Sequence, residues 1–204
     1  MTASGGPSDP ALVAAILDAV DRANAEGPES VTVDGITRPK EVVHAERMTY
    51  WVQVLDPDAT AAQRIAARAH HFRRWAVSRV DYPEGRAGYL RWRRDQKARH
   101  VREVGDLLRG LGADDDLVAR VGEIVAKDGL GQDIEVQTHE DALCLVFLEQ
   151  QFADLATQLG DERMVEVLRR TAAKMSPAAL SLASDLAMSP QVRVLLERAL
   201  APET

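Results

Sequence analysis

The fold is decided by one stretch of the chain, Gln137-Thr-His-Glu-Asp-Ala-Leu-Cys-Leu-Val-Phe-Leu148. Every residue from 142 to 148 is apolar, and a helix-like pattern continues through Phe152. A helix that is apolar on all sides must be surrounded by other helices. The stretch therefore predicts the buried central helix of a helical bundle.

Two adjacent acids, Glu140 and Asp141, stand at the start of this helix, beside His139. At about 100° per residue, the two acids lie in line with different apolar neighbours, so at least one points into the protein. An ionised carboxylate in that position is costly unless it pairs with a cation or binds a metal. The sequence leaves both alternatives open.

Length and composition predict one domain, because 204 residues suffice for a substantial core. We expect a disordered N-terminus over 1–8, a helical core over 9–160, and C-terminal helices over 161–204 that pack on the same domain. No apolar run is long enough to span a bilayer, and the start of the chain does not resemble a secretory signal. The single Cys144 is interpreted as a core thiol. These features predict a cytoplasmic protein without a membrane partner.

Positive charge is concentrated in the middle of an acidic chain. The net charge is −7, yet the segment from Arg64 to Arg109 holds thirteen Lys and Arg against five Asp and Glu. This distribution suits a small anionic partner better than a nucleic acid, which needs a broad basic face. The alternative is a set of solvated helix faces.

Apolar residues recur at helical spacing along most of the chain, and capping residues or proline precede the segments. The fold class is therefore all-α, a single bundle with extra C-terminal helices. We interpret 28–38 as a loop, although Asp34-Gly35 offers a hairpin turn. The predicted helices cover 10–26, 39–55, 60–77, 89–111, 114–127, 137–152, 162–175, 177–188 and 190–200.

Histidines and a carboxylate on separate predicted helices form the candidate metal site. His100 lies where the apolar face of the fourth helix turns polar, and His70 and His71 flank the stripe of the third. Such side chains can converge on one ion between facing helices. The ligands expected are His71, His100 and Asp141, with His70 as the alternative to His71. A lone histidine on an apolar face is otherwise a hydrogen-bonded core residue.

A turn-rich loop over 78–88 adds candidates for binding an anion, because arginine presents a fixed fork of donors. The chain has no glycine-rich phosphate loop, HExxH helix, CxxC pair or GxSxG elbow. The expected substrate-binding residues are Arg74, Arg79, Tyr82, Arg86 and Arg93. The expected catalytic residues are Lys127, Glu140 and Glu46.

Two segments, one beginning at His100 and one ending at Lys127, resemble part of the HD superfamily of metal-dependent phosphohydrolases. The chain also resembles the domain of unknown function 4202 family over roughly residues 10 to 160. The motifs are Pro39-Lys-Glu, Glu46-Arg-Met, Ala69-His-His-Phe-Arg-Arg-Trp75, Tyr82-Pro-Glu-Gly-Arg-Ala-Gly-Tyr89, Trp92-Arg93, His100, Lys127, and Glu140-Asp141 through Val146-Phe-Leu148.

These resemblances imply an HD-like bundle, with departures at the metal site. His70-His71 stands where the superfamily has His-Asp, and Lys127 stands where a second histidine is usual. Glu46 or His44 occupies the place of a first-helix histidine. We therefore expect one divalent ion (Mn, Fe, Zn or Mg) instead of two.

Three functions compete at this stage. The first is a metal-dependent hydrolase acting on a small phosphorylated or other anionic substrate. The second is an iron-dependent oxygenase on the same HD-like scaffold, since histidine and carboxylate ligands also suit iron. The third is a non-catalytic protein in which the polar residues form a buried network and bind a ligand or partner. A homodimer through the C-terminal helices is compatible with all three.

Overall fold

The computed structural model describes residues 9–186 and 190–201, and it confirms the all-α fold class within them. None of the helices in this part of the chain combines the length and apolarity needed to cross a membrane. The predicted disorder over 1–8 lies outside the described residues. The helices are α1 Pro10–Ala25, α2 Lys40–Leu55, α3 Ala61–Arg68, α4 Gly85–Gly110, α5 Asp115–Ala126, α6 Ile134–Gln150, α7 Phe152–Leu159, α8 Asp161–Ala172, α9 Pro177–Asp185 and α10 Pro190–Leu200.

A small hairpin precedes α2, so the loop interpretation of 28–38 is wrong. Strands β1 Ser30–Val33 and β2 Ile36–Pro39 pair antiparallel, with Val33 opposite Ile36. The two residues between them, Asp34 and Gly35, have φ values of 51° and 78°. Positive φ at both positions defines the two-residue turn that matches strand twist, and Asp-Gly favours it.

The third predicted helix ends nine residues early, at Arg68 instead of 77. The chain then turns through 69–73 into a short 3₁₀ helix, Arg74–Ala76, with Arg73 in the left-handed region at φ 46°. The backbone N–H of Arg73 donates to Oδ1 of the fully buried Asn24, 3.1 Å away. A tertiary contact therefore ends the helix where local periodicity predicts that it continues.

The central helix α6 is buried as expected and joins two apolar cores. One core lies among α1, α3, α4 and α5, and Val136 of α6 contributes to it. The other contains α2 and α6 together with α8, α9 and α10, through residues such as Met164 and Leu195. Helix α6 thus contributes apolar side chains to both cores.

Gly88, in the first turns of α4, gives a test of the loop that precedes this helix. A Cβ at residue 88 would lie 1.8 Å from the carbonyl oxygen of Pro83. Gly88→Ala is therefore expected to lower the free energy of unfolding by about 1–3 kcal/mol or more, as overpacking does. Gly110→Ala is the control, because nothing lies within 4 Å of a Cβ there. Chemical denaturation measures both, and equal stabilities of the two variants would contradict the close approach.

Candidate metal centre

All five histidines of the chain gather at one place. His44 comes from α2, His70 and His71 from the turn after α3, His100 from α4 and His139 from α6. The rings of His44 and His71 stack 3.8 Å apart, and His70 lies 4.9 Å from both His71 and His139. His100 is near enough to His71 for its charge to lower the pKa of that ring. Four separate segments thus converge on a histidine cluster.

Three of these side chains have the spacing of metal ligands. One ligand nitrogen from each of His44, His70 and His71 lies within 4.8 Å of the other two. Nitrogens bound to one zinc ion at about 2.0–2.1 Å are separated by roughly 3–4 Å, so small side-chain rotations close the group around an ion. Three histidines with an open fourth position are a recognised catalytic arrangement.

Burial keeps the histidine cluster uncharged. It lowers the pKa of His44, His100 and His139 to about 3 each, and the pKa values of His70 and His71 also fall well below the usual value. His70 and His71 are half-buried, and loss of hydration is the main cause of their lowered pKa values. Neutral imidazole is the form that binds a metal.

Several buried ring nitrogens lack a hydrogen-bond partner within the described residues. They are Nε2 of His44, Nε2 of His100 and Nδ1 of His139. Nδ1 of His70, by contrast, has a partner: it lies 2.9 Å from Nε2 of His139, and this hydrogen bond can orient the His70 ring. Buried polar atoms without partners need an explanation, and an ion supplies one. The residues therefore fit a metal.

The expected ligands are partly brought together. His71 belongs to the converging group, and so does His70. The two histidines are therefore not alternatives, because both have the spacing of metal ligands. His100 lies beside the group but outside it. Asp141 is engaged elsewhere: its Oδ1 accepts from Gln137 Nε2 and from the backbone N–H of Ser176, each at 2.9 Å. The structure thus gives Asp141 the role of joining α6 to the start of α9.

Of the three expected catalytic residues, Lys127 and Glu140 form an ion pair with each other, whereas Glu46 pairs with an arginine elsewhere. Lys127 forms an ion pair with the buried Glu140, whose second oxygen lies 3.6 Å from Lys174. Burial lowers the pKa of Lys127, and its charge lowers the pKa of His70 and His139, so the ammonium faces the cluster. Glu46 is different, because Arg38 binds both of its oxygens at 2.6 and 2.7 Å. It lies two residues from His44, on another face of α2.

Two of the expected anion-binding arginines lie near the cluster. Arg74 sits 4.7 Å over the ring of Trp92, and its charge lowers the pKa of His44, His71 and His100. Arg93 is exposed on α4, and its charge lowers the pKa of both Arg74 and Lys127. The positive charge of Arg74 therefore lies close to three uncharged histidines.

The other expected anion-binding residues have structural partners or lie apart. Arg79 donates to the carbonyl oxygens of Tyr82 and Pro83, each at 3.0 Å, and so stabilises the turn before α4. The Tyr82 hydroxyl donates to Asp95 at 3.2 Å. Arg86 is exposed at the start of α4.

The segment that carries His70, His71 and Arg74 is held by α4. The Arg99 guanidinium donates to the carbonyls of Phe72 and Arg73 and to Gln96 Oε1, and it pairs with Glu103. Gln96 Nε2 in turn donates to the carbonyls of Arg74 and Val77, both at 2.9 Å. We call Gln96 and Arg99 the α4 clamp, because together they fix the backbone from residue 72 to 77.

The cluster and the α4 clamp lie within the region that one family model covers. That model, Domain of unknown function (DUF4202), matches residues 14–196. The chain belongs to the DUF4202 family. No curated protein and no solved structure matches the chain. The DUF4202 match includes every histidine, so the site described here falls entirely inside the family region.

Two residues of this DUF4202 site were not among the expected ligands or catalytic groups. His44 is predicted only as the alternative to Glu46 for the place of a first-helix histidine, and Glu41, one turn earlier on α2, appears only in the motif Pro39-Lys-Glu. Glu41 is buried, its Oε2 has no hydrogen-bond partner in the described residues, and burial raises its pKa. The three-residue spacing from His44 places both side chains on one helix face. That spacing is the signal that the sequence offered.

Proposed function

We propose that this protein is a metal-dependent hydrolase that acts on a small phosphorylated or similar anionic molecule. The observation that carries the proposal is the convergence of His44, His70 and His71 beside positively charged side chains. The histidines would hold the ion, and the cations would bind the substrate's anionic group. Both parts adjoin one cavity, which His44, His71 and Arg74 line.

The donor set narrows the choice of metal. Imidazole suits zinc, iron, copper and nickel, whereas magnesium prefers carboxylate, carbonyl and water oxygens. A metal with an open position supplies a nucleophilic hydroxide near neutral pH by lowering the pKa of bound water. We therefore propose one transition-metal ion in preference to Mg²⁺.

The surrounding side chains support hydrolysis of an anion. Lys127 and Arg74 bring positive charge close to the histidines, and this charge would stabilise the negative charge that develops during attack on a phosphoryl group. Glu41 lines the same cavity as His44 and His71 and has a raised pKa, which suits a group that accepts and returns a proton. We propose Glu41 as the general base, in place of Glu46.

The resemblance to the HD superfamily supports the same proposal. Its metal-dependent phosphohydrolases carry histidine ligands on bundle helices, and His100 opens the matching segment here. The departures at His70-His71 and Lys127 coincide with the cluster itself. We propose that this chain is a divergent HD-like protein in which His71 stands in place of the aspartate of the His-Asp pair and Lys127 in place of a histidine.

Turnover tests the hydrolase. Protein loaded with Zn²⁺, Mn²⁺, Fe²⁺ or Mg²⁺ is assayed with p-nitrophenyl phosphate. We expect hydrolysis with at least one transition metal. We also expect His71→Ala to lower kcat/KM at least about 100-fold, because the site then no longer holds the metal that activates water. Asp141→Asn is the control: it keeps Oδ1 as an acceptor for Ser176 and is expected to retain activity. Metal-independent turnover, or full activity in His71→Ala, would refute the proposal.

A further inference from the structure

The cavity beside the histidine cluster is larger than a phosphate group requires. It measures about 1330 Å³ and is bounded by the β1–β2 hairpin, the start of α2 and the turn that contains Arg74 and Trp75. Cavities for drug-sized molecules span roughly 300–1,000 Å³. There is room for a substantial substrate body next to the anionic group.

Most cations around this cavity are already neutralised or hydrogen-bonded. The exception is Arg74, whose guanidinium has no hydrogen bond or ion pair among residues 9–186 and 190–201. The engaged side chains are Lys40 with Glu29 at 2.6 Å, Arg47 with Glu149 at 2.8 Å, and Arg79 with the carbonyls of Tyr82 and Pro83.

Arg74 is also held in place to receive an anion. Its backbone carbonyl accepts from Gln96 and its side chain lies over Trp92. Arg74 is half-buried, and burial lowers its pKa. A partly desolvated guanidinium is stabilised by a bidentate oxyanion. Glu41 is the acid whose charge acts on Arg74, and the carboxyl of Glu41 is itself destabilised by burial.

The cavity wall is mixed, and one part of it is formed by apolar side chains. Trp75 and Trp92 line it together with Val43, Val77 and Leu155. The Trp75 ring approaches Gly27 closely, since a Cβ there would lie 3.0 Å from two ring carbons. The indole of Trp75 thus packs against the backbone of Gly27, in the wall of the cavity that Arg74 also lines. Flat aromatic walls suit a ring in the ligand.

We infer that this cavity binds an anion attached to an apolar, ring-sized body, with Arg74 binding the anionic group and Trp75 contacting the ring. The inference rests on the proposed function and names its substrate class, an aryl or similarly bulky apolar phosphate ester. Arg74 sets affinity for the anion, and Trp75 sets the preference between substrates.

Binding of non-hydrolysable analogues tests this directly. Phenylphosphonate and methylphosphonate are titrated into zinc-loaded protein by calorimetry. We expect phenylphosphonate to bind at least tenfold more tightly. Arg74→Leu is expected to weaken both ligands at least tenfold, and Trp75→Ala to remove the preference while methylphosphonate affinity stays unchanged. Arg94→Leu, an exposed arginine on α4 paired with Asp95, is the matched control and is expected to change neither.

The outcomes separate the two proposals. Equal affinity for the two phosphonates, or an unchanged Trp75→Ala variant, would overturn the ring preference. Unchanged binding in Arg74→Leu would overturn the anion site. Arg74→Lys is a second variant, for the case that Arg74→Leu does not fold. It keeps the positive charge but cannot donate two parallel hydrogen bonds to one anion. Weaker phosphonate binding by this variant supports the site, and unchanged binding would overturn the bidentate contact. Phenylphosphonate binding as expected without hydrolysis of phenyl phosphate would remove the hydrolase and leave the binding site standing.

Discussion

Acidification from pH 7 to pH 5 is expected to destabilise the metal-free protein by on the order of 6 kcal/mol. The effect comes from His44, His100 and His139, whose pKa values burial lowers to about 3. A typical domain has a free energy of unfolding of about 5–15 kcal/mol, so the change removes much of the stability.

The sign follows from where the protons bind. An unfolded histidine has a pKa of about 6.5, so the unfolded chain takes up protons below that pH while the folded cluster does not until about pH 3. Each buried histidine therefore costs about 2 kcal/mol at pH 5. His70 and His71 act in the same direction, and Glu41, with its raised pKa, opposes it.

Urea denaturation of chelator-treated protein at pH 7, 6 and 5 measures this dependence. His100→Gln removes one titrating ring and is expected to reduce the loss of stability between pH 7 and pH 5 by about 2 kcal/mol, whatever the stability of the variant at pH 7. The ion pair of Asp133 with Arg120 does not interfere, because the pKa of Asp133 is about 2 and its contribution is lost only at lower pH. Equal stability at pH 7 and pH 5 would show that the histidines are not buried as neutral rings.

Removing the guanidinium of the α4 clamp is expected to have the second largest effect. Arg99→Met leaves Glu103, Gln96 Oε1 and the carbonyls of Phe72 and Arg73 without their donor. The Arg99 side chain is 7% exposed, so water cannot replace it. Glu103 is 25% exposed and stays partly hydrated, but each of the other three acceptors costs about 1–3 kcal/mol when left without a donor, at least about 3 kcal/mol together. We expect a loss of that size in the free energy of unfolding, measured by chemical denaturation.

The same variant is expected to weaken metal binding, because the backbone after His70 and His71 loses its support. Arg102→Met is the matched control on α4: its side chain is 66% exposed and lies 3.9 Å from Glu103. A change within about 1 kcal/mol is expected there, as for an exposed pair. If the two variants lost equal stability, the α4 clamp would not be the cause.

Much of the fold could be predicted because it depends on local patterns. The buried helix α6, the capping residues Asp9 and Asp114 and the proline starts at Pro10 and Pro177 all act within a few residues. The hairpin was missed although Asp34-Gly35 specifies its turn, because its strands are short and mostly exposed. The early end of α3 depends on Asn24, which is 49 residues from Arg73 in the chain.

The candidate site could be predicted only in part for the same reason. The chemistry of histidine pointed to the right residue types, but helical periodicity gives a face and not a distance. Asp141 has the buried position expected of a ligand, yet its partner is the start of α9, which no local pattern shows. His44 joins the cluster through the packing of α2 against the turn after α3, which is a tertiary contact.

Elemental analysis after dialysis against Zn²⁺ tests the central claim, a metal centre built from His44, His70 and His71. The comparison uses the wild type, Asp141→Asn and the double variant His44→Ala/His71→Ala. We expect about one equivalent of zinc in the first two and none in the double variant, since three converging nitrogens would be reduced to one. Retention of zinc by the double variant with its loss in Asp141→Asn would contradict the account and restore Asp141 as a ligand.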